Sequence, residues 1–419
     1  MDISMTELEQ IGARAKAAAR VLAAAGTRQK NQAIEQIIRT LENNRDQITA
    51  ANQKDIEAAR EAGISEALID RLTLTPARIG GMLTGAGQVI ALDDPVGEVI
   101  EGARRPNGLS VTKVRVPMGV VGIIYESRPN VTVDAAVLTI KSGNAVILKG
   151  GKEAAHSNRI LGDLMAQALT ETGLPADCVQ VLDRADRETT AQLMRMNQYI
   201  DVLIPRGSGR LIRAVIENAT VPVIQTGEGN CHVYVDASAN LAMAQAITVN
   251  AKTSRPSVCN AIETVLVHKD VAAQLLPPLA KELREHKVEL RADERARAII
   301  GDCAVPATEE DWATEFLDYI LAVRVVDSLE DAVAHINTYG TGHSECIVTK
   351  DYGCANAFLD TVDAAAVYVN ASTRFTDGFE LGLGAEIGIS TQKLHARGPM
   401  GLRELTTCKY RILGDGQIR

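Results

Sequence analysis

The chain has 419 residues, 46% hydrophobic and 23% charged: a near-average globular composition on a length that fits two or three domains rather than one. Its formal net charge of −9 argues against a general nucleic-acid role, which would want a basic face. Only 3% of residues are aromatic, so the core has to be built from Ala, Val, Ile and Leu.

The N-terminal stretch MDISMTELEQIGARAKAAARVLAAAG has early acids and an amphipathic period, with no apolar h-region, so it does not read as a signal peptide. No window approaches the roughly 18 uncharged apolar residues of a membrane span, and none is expected. Up to Asp94 the apolar positions recur at three- and four-residue spacing, which predicts helices. TLTPARIGGML supplies one of them with a Thr–Pro start. GEVIEG and LSVTKVRV then read as strands, the second with period-2 alternation, and RVPMGVVGIIY runs on into a fully apolar strand.

From there to about residue 250 strands alternate with helices: strands at Val120–Tyr125, Ala145–Lys149, Val179–Leu182, Val202–Ile204 and Val233–Val235, with helices such as Ser157–Thr172 and Leu211–Glu217. A second series follows, with strands at Glu263–Val267, Ile320–Val325, Cys346–Thr349 and Ala366–Asn370 and helices at Val271–Glu285 and Leu329–Asn337. This alternation predicts α/β architecture, two parallel sheets each covered by helices. The tail TTCKYRIL reads as a lone strand with no local partner, the kind that pairs with another subunit.

Seven cysteines, at 178, 231, 259, 303, 346, 354 and 408, are scattered and odd in number, and none has CxxC or CxxH spacing. Neither a disulfide framework nor a metal site is expected, and the chain reads as a reduced cytoplasmic protein. His156, His268, His286 and His335 read as packing or surface residues, and Tyr125 and Trp312 as core.

The usual nucleotide fingerprints fail. GGKEAA lacks the first glycine of a P-loop, and RGSGRLI has Ile212 at the third glycine position of a dinucleotide turn. RGSGRLI nevertheless follows a strand and opens a helix. That suits either an anion at the helix N-terminus or an ordinary turn with a capping serine. In ILKGGKEAAHSN, Lys149 and Lys152 flank two glycines at a strand end, an arrangement that favours a phosphate, and a cation there favours NADP over NAD. SRPSVCNAIETVLV displays Cys259 in a polar, proline-bent turn beside Arg255, an unusual place for a residue that is usually buried.

YESRPNVT, RPSVCN, VNASTRF and QKLHARGPMG are long and specific blocks, and with them the whole chain resembles the aldehyde dehydrogenase superfamily, in particular its branch acting on L-glutamyl 5-phosphate. The resemblance implies an aldehyde-dehydrogenase-like fold: two doubly wound α/β domains with a small oligomerisation element. It places an NADP-binding domain at 1–108, 118–250 and 361–404, a catalytic domain at 251–360, and oligomerisation strands at 109–117 and 405–419. The catalytic site is expected in the cleft between the two large domains.

The implied roles are specific. Cys259 is the nucleophile, and Asn130 supplies an oxyanion-hole amide. Lys149, Lys152, Gly207, Ser208 and Glu315 bind NADPH. Gln225 stands where hydrolytic relatives carry the glutamate that activates water, with Glu228 three residues on. Arg128, Arg255 and Arg374 are candidates for the substrate anions, because arginine suits bidentate anion recognition. His395 is expected to be structural or at an interface. The implied partners are L-glutamyl 5-phosphate, further copies of the chain and, transiently, glutamate 5-kinase, with no nucleic acid and no membrane. Two other readings remain: a hydrolytic aldehyde dehydrogenase, and a non-catalytic partner of the kinase.

Overall fold

The computed structural model describes residues 5–183 and 186–419. Contacts divide the chain into two compact units. One extends to Thr226 and takes in Gly382–Gly388 and Met400–Arg419; the other is Gly227–Leu381 with Ile389–Pro399.

The first unit begins with five helices, Glu7–Ala24, Thr27–Asn43, Arg45–Glu61, Glu66–Leu72 and Pro76–Ala91. Their starts follow from local chemistry. Thr6 and Glu9 form a capping box, and Thr75 caps a helix whose first residue is Pro76, as TLTP predicts. A four-stranded parallel sheet follows, in the order Val179–Val181, Ala145–Lys149, Val120–Tyr125, Val202–Arg206. The strands Val120–Tyr125 and Ala145–Lys149 are buried along their whole length, which is why they read as unbroken apolar runs.

A separate antiparallel sheet joins Val99–Arg104, Ser110–Pro117 and Thr406–Leu413. The terminal strand is therefore not a lone one: it pairs with Ser110–Pro117 of its own chain, from Thr406 opposite Pro117 to Leu413 opposite Ser110.

The second unit holds a seven-stranded parallel sheet. Its order is Ala304–Pro306, Glu289–Ala292, Ile320–Val326, Ile262–His268, Cys231–Val235, Ser344–Val348, Ala366–Val369. The strand Cys231–Val235 belongs here, paired with Ile262–His268, so this unit starts earlier than residue 250. Its core is aliphatic, as the composition requires, while Trp312 and, in the first unit, Tyr125 are buried. Among the described residues no helix is long and apolar enough to cross a membrane.

Candidate active site

In the second unit the helix Leu241–Thr253 ends at Ser254, and the chain turns before entering the Ile262–His268 strand. Lys252 and Glu263, both fully buried, pin the two sides of that turn together through an ion pair of 2.5 Å. Burial pushes the Glu263 carboxyl up to about 7 and the Lys252 ammonium down. The partner's charge opposes each shift, so removing either one strands the other in the core.

Cys259 lies in this turn, half-buried, whereas Cys231 and Cys346 of the same unit are fully buried. Burial pushes the Cys346 thiol up to about 12 and the Cys231 thiol well above its ordinary value, which leaves both unreactive at neutral pH. The backbone of Cys259 is seated on Gly229, where a Cβ would come within 1.6 Å of the Cys259 carbonyl oxygen, so no other residue fits. Cys231 Sγ donates to the same carbonyl at 3.1 Å. The Gly229 N–H donates to Glu315 Oε1 at 2.7 Å. Burial raises the Glu315 carboxyl, and the neighbouring Glu228 adds to the effect. Glu315 thus supports the seat of the cysteine.

Asn260, the next residue, is 5% exposed and ties this turn to the VNASTRF block. Its amide donates to the carbonyls of Arg374 (3.3 Å) and Thr376 (2.9 Å), its Oδ1 accepts from the Arg374 guanidinium, and its own carbonyl accepts from Thr373 Oγ1 at 2.7 Å. Arg374 Nε also donates to Ser254 Oγ at 3.0 Å. Arg374 is half-buried. Burial lowers its pKa, and the nearby Arg255 guanidinium lowers it further, against the opposite pull of Asp377 and Cys259. Arg255 itself is exposed.

In the first unit, the Val120–Tyr125 strand leads through Glu126–Arg128 into the helix Pro129–Lys141. Ser127 has φ +43°, a left-handed conformation that costs a residue with a Cβ. Glu153 holds it there, accepting from the Ser127 N–H at 2.7 Å and from its hydroxyl at 2.6 Å. Arg128 is the half-buried N-cap of the helix. Asn130 is exposed in its first turn, and its amide donates to Asp134 Oδ2, one turn on, at 3.0 Å. Burial pushes the Asp134 carboxyl up to about 6, against the Asn130 bond and the Arg206 charge.

Lys149 ends its strand at 8% exposure, and burial lowers its pKa against the pull of Glu153, Asp186 and Glu126. Lys152 is exposed in the turn that follows. The second glycine of this loop answers to the chain's own packing, since a Cβ on Gly151 would lie 2.1 Å from Glu153 Oε1. Gly207 and Ser208 are exposed at the start of the helix Gly209–Asn218. Ser208 makes no side-chain cap; its N–H donates instead to Glu126 Oε2 at 2.8 Å. The helix N-terminus therefore already receives an anionic oxygen.

The structure gathers the sequence candidates into two groups. Cys259, Arg255, Arg374 and Glu315 belong to the second unit, and Asn130, Arg128, Lys149, Lys152, Gly207, Ser208 and Gln225 to the first. His395, in the second unit, is exposed with φ +69°. Among the supporting residues not singled out from sequence are Glu126, Asp134, Glu153 and Asn260. Asp134 was open to discovery, because it stands one helical turn after Asn130. Among the described residues no group of three or more His, Cys, Asp or Glu is placed to hold a metal.

Comparisons with known proteins place this arrangement. The model of the aldehyde dehydrogenase family matches residues 2–301. A gamma-glutamyl phosphate reductase from Moorella thermoacetica is 60% identical over 413 residues, covering 99% of each chain. The crystal structure of gamma-glutamyl phosphate reductase from Thermotoga maritima superposes with a TM-score of 0.96 at 50% identity, over 99% of this chain and 100% of that one. An engineered glycolyl-CoA reductase with bound NADP+ shares the fold at 16% identity and a TM-score of 0.69, over 97% of this chain and 96% of that one.

Proposed function

The chain belongs to the aldehyde dehydrogenase family and, within it, to the gamma-glutamyl phosphate reductases, and on that premise we propose that NADPH and a thioester on Cys259 carry its reaction. The reaction is the reduction of L-glutamyl 5-phosphate to L-glutamate 5-semialdehyde and phosphate, a step of proline biosynthesis. One observation carries the mechanistic reading: Cys259 is half-buried in a turn whose backbone is fixed from one side by Gly229 and Cys231 and from the other by Asn260.

An acyl phosphate brings its own leaving group, so a thiolate needs no acid to expel it. Cys259 attacks the gamma-carbonyl. The amide of Asn130 serves the developing oxyanion, a contribution of about 3–4 kcal/mol per donor in comparable sites. Phosphate leaves, and the thioester awaits reduction. Gln225, an amide rather than a carboxylate, cannot act as the base that would turn the thioester over to water.

The chain's residues fit NADPH. The helix N-terminus at Gly207–Ser208 receives a carboxylate oxygen, which marks a position suited to a phosphate oxygen. Lys149 and Lys152 stand at the strand end, where a cation suits an adenosine 2′-phosphate. Bound there, NADPH supplies the hydride. Glu315 is assigned to the nicotinamide ribose. At least one of Arg128, Arg255 and Arg374 binds a substrate anion.

The same reading makes the protein a cytoplasmic homo-oligomer. Support comes from the antiparallel sheet, whose terminal strand leaves Tyr410, Ile412 and Leu413 at 61%, 58% and 71% exposure. Transient contact with glutamate 5-kinase completes it.

Intact-mass spectrometry tests the thioester. Semialdehyde and NADP without phosphate should leave one glutamyl adduct on the wild type and none on Cys259→Ala. An adduct that persists on Cys259→Ala refutes the assignment.

A further inference from the structure

We propose that Arg374, aligned by Asn260 as a positioning residue, takes the phosphate of the acyl phosphate rather than the alpha-carboxylate. This rests on the Cys259 thioester reading above and assigns one substrate anion to one side chain.

The argument begins with chain geometry. Arg374 Nε bonds Ser254 at 3.0 Å and its guanidinium also bonds Asn260 Oδ1, so it is fastened to residues on both sides of Cys259. Both partners are neutral, and neither offsets the guanidinium's charge. A second cation, Arg255, lies within electrostatic reach of it on the same turn. Asp377 offsets part of this charge, but Arg374 on its two neutral partners, with Arg255 near it, still makes a seat for an anion of high charge.

Substrate chemistry then says which anion. In an acyl phosphate the phosphorus is two bonds from the carbon that the thiolate attacks. The alpha-carboxylate carbon is four bonds away along the glutamyl chain. The anion that must lie beside the cysteine turn is therefore the phosphate. In the step itself the Cys259 sulfur–carbon bond forms and the carbon–oxygen bond to phosphate breaks. Phosphate departs with that electron pair, so the charge that grows on its oxygens falls to Arg374. Asn260 touches neither substrate nor cofactor in this scheme. It acts by holding the guanidinium and the Arg374 and Thr376 carbonyls in register with Cys259.

The test runs the reaction in reverse and varies phosphate and semialdehyde independently. Arg374→Ala should raise the KM for phosphate about 10- to 100-fold, the effect of losing charge-assisted hydrogen bonds, and leave the KM for semialdehyde within about twofold. Added guanidinium should restore part of the loss. Asn260→Ala should raise the phosphate KM as well, and the double variant should be no worse than Arg374→Ala alone, because the two act as a unit. Asn260→Ser, which disturbs the packing less, should show the same pattern if Asn260→Ala does not fold. A shift confined to the semialdehyde KM would assign Arg374 to the carboxylate and overturn the proposal. Additive losses would remove the positioning role of Asn260. A wild type that runs equally well without phosphate would instead refute the underlying acyl-phosphate mechanism, a distinct outcome.

Discussion

Two turns in this molecule end in an asparagine, and they use it in opposite ways. In the first unit Asn130 is exposed, with its amide held by one carboxylate, Asp134. In the second unit Asn260 is buried and bonds two backbone carbonyls, one guanidinium and one hydroxyl. An amide with access to solvent is available to a ligand; a buried amide bonded at both its nitrogen and its oxygen is a structural clamp. The sequence motifs point to Asn130 and pass over Asn260, whose part shows only in its burial and its bonds.

The comparison can be broken by substitution. Replacing Cys259, the proposed nucleophile, with Ala should lower turnover by more than about a thousandfold while the fold persists, since the thioester route has no substitute for it. Circular dichroism and steady-state kinetics would show both. Asn130→Ala should lower kcat about 10²- to 10³-fold, the loss expected for one oxyanion donor, and leave the melting temperature nearly unchanged. An unchanged kcat would remove Asn130 from the chemistry.

Asn260→Ala should reverse that balance. It leaves buried carbonyls without donors, at about 1–3 kcal/mol each, and a chain of this size should lose several degrees of melting temperature. A variant as stable as wild type would contradict the clamp.

The smallest effect concerns Asp134. Its folded carboxyl is pushed up to about 6 from an ordinary 3.8, so the folded state holds the proton more tightly. The stability this brings is present at acid pH and is lost as the pH rises through about 6. Asp134→Asn should therefore be about 1–3 kcal/mol more stable than wild type at pH 8 and no more stable at pH 4. Equal stability at both pH values would mean that the carboxylate costs nothing to hold.

Much of this was legible in the sequence. The Thr75–Pro76 helix start and the apolar strands Val120–Tyr125 and Ala145–Lys149 follow from local chemistry, and each appears in the structure. The strand Cys231–Val235 was legible as a strand but not as a member of the second sheet. An apolar run has the same texture in either sheet, and only its pairing with Ile262–His268 decides. Cys259 and Asn130 drew notice because they stand in long specific blocks. Their supports drew less. Glu126 caps a helix that starts at Gly209, and Glu153 holds Ser127. Glu153 follows Lys152 and Glu126 stands two residues before Arg128, and nothing in local spacing announces a partner so far along the chain.

The most direct test of the central claim is NADP-linked oxidation of L-glutamate 5-semialdehyde by the wild type, with and without phosphate. The thioester account predicts sustained turnover only when phosphate is present to release the glutamyl group. Turnover at the same rate in its absence would show that water resolves the intermediate, and would contradict the account.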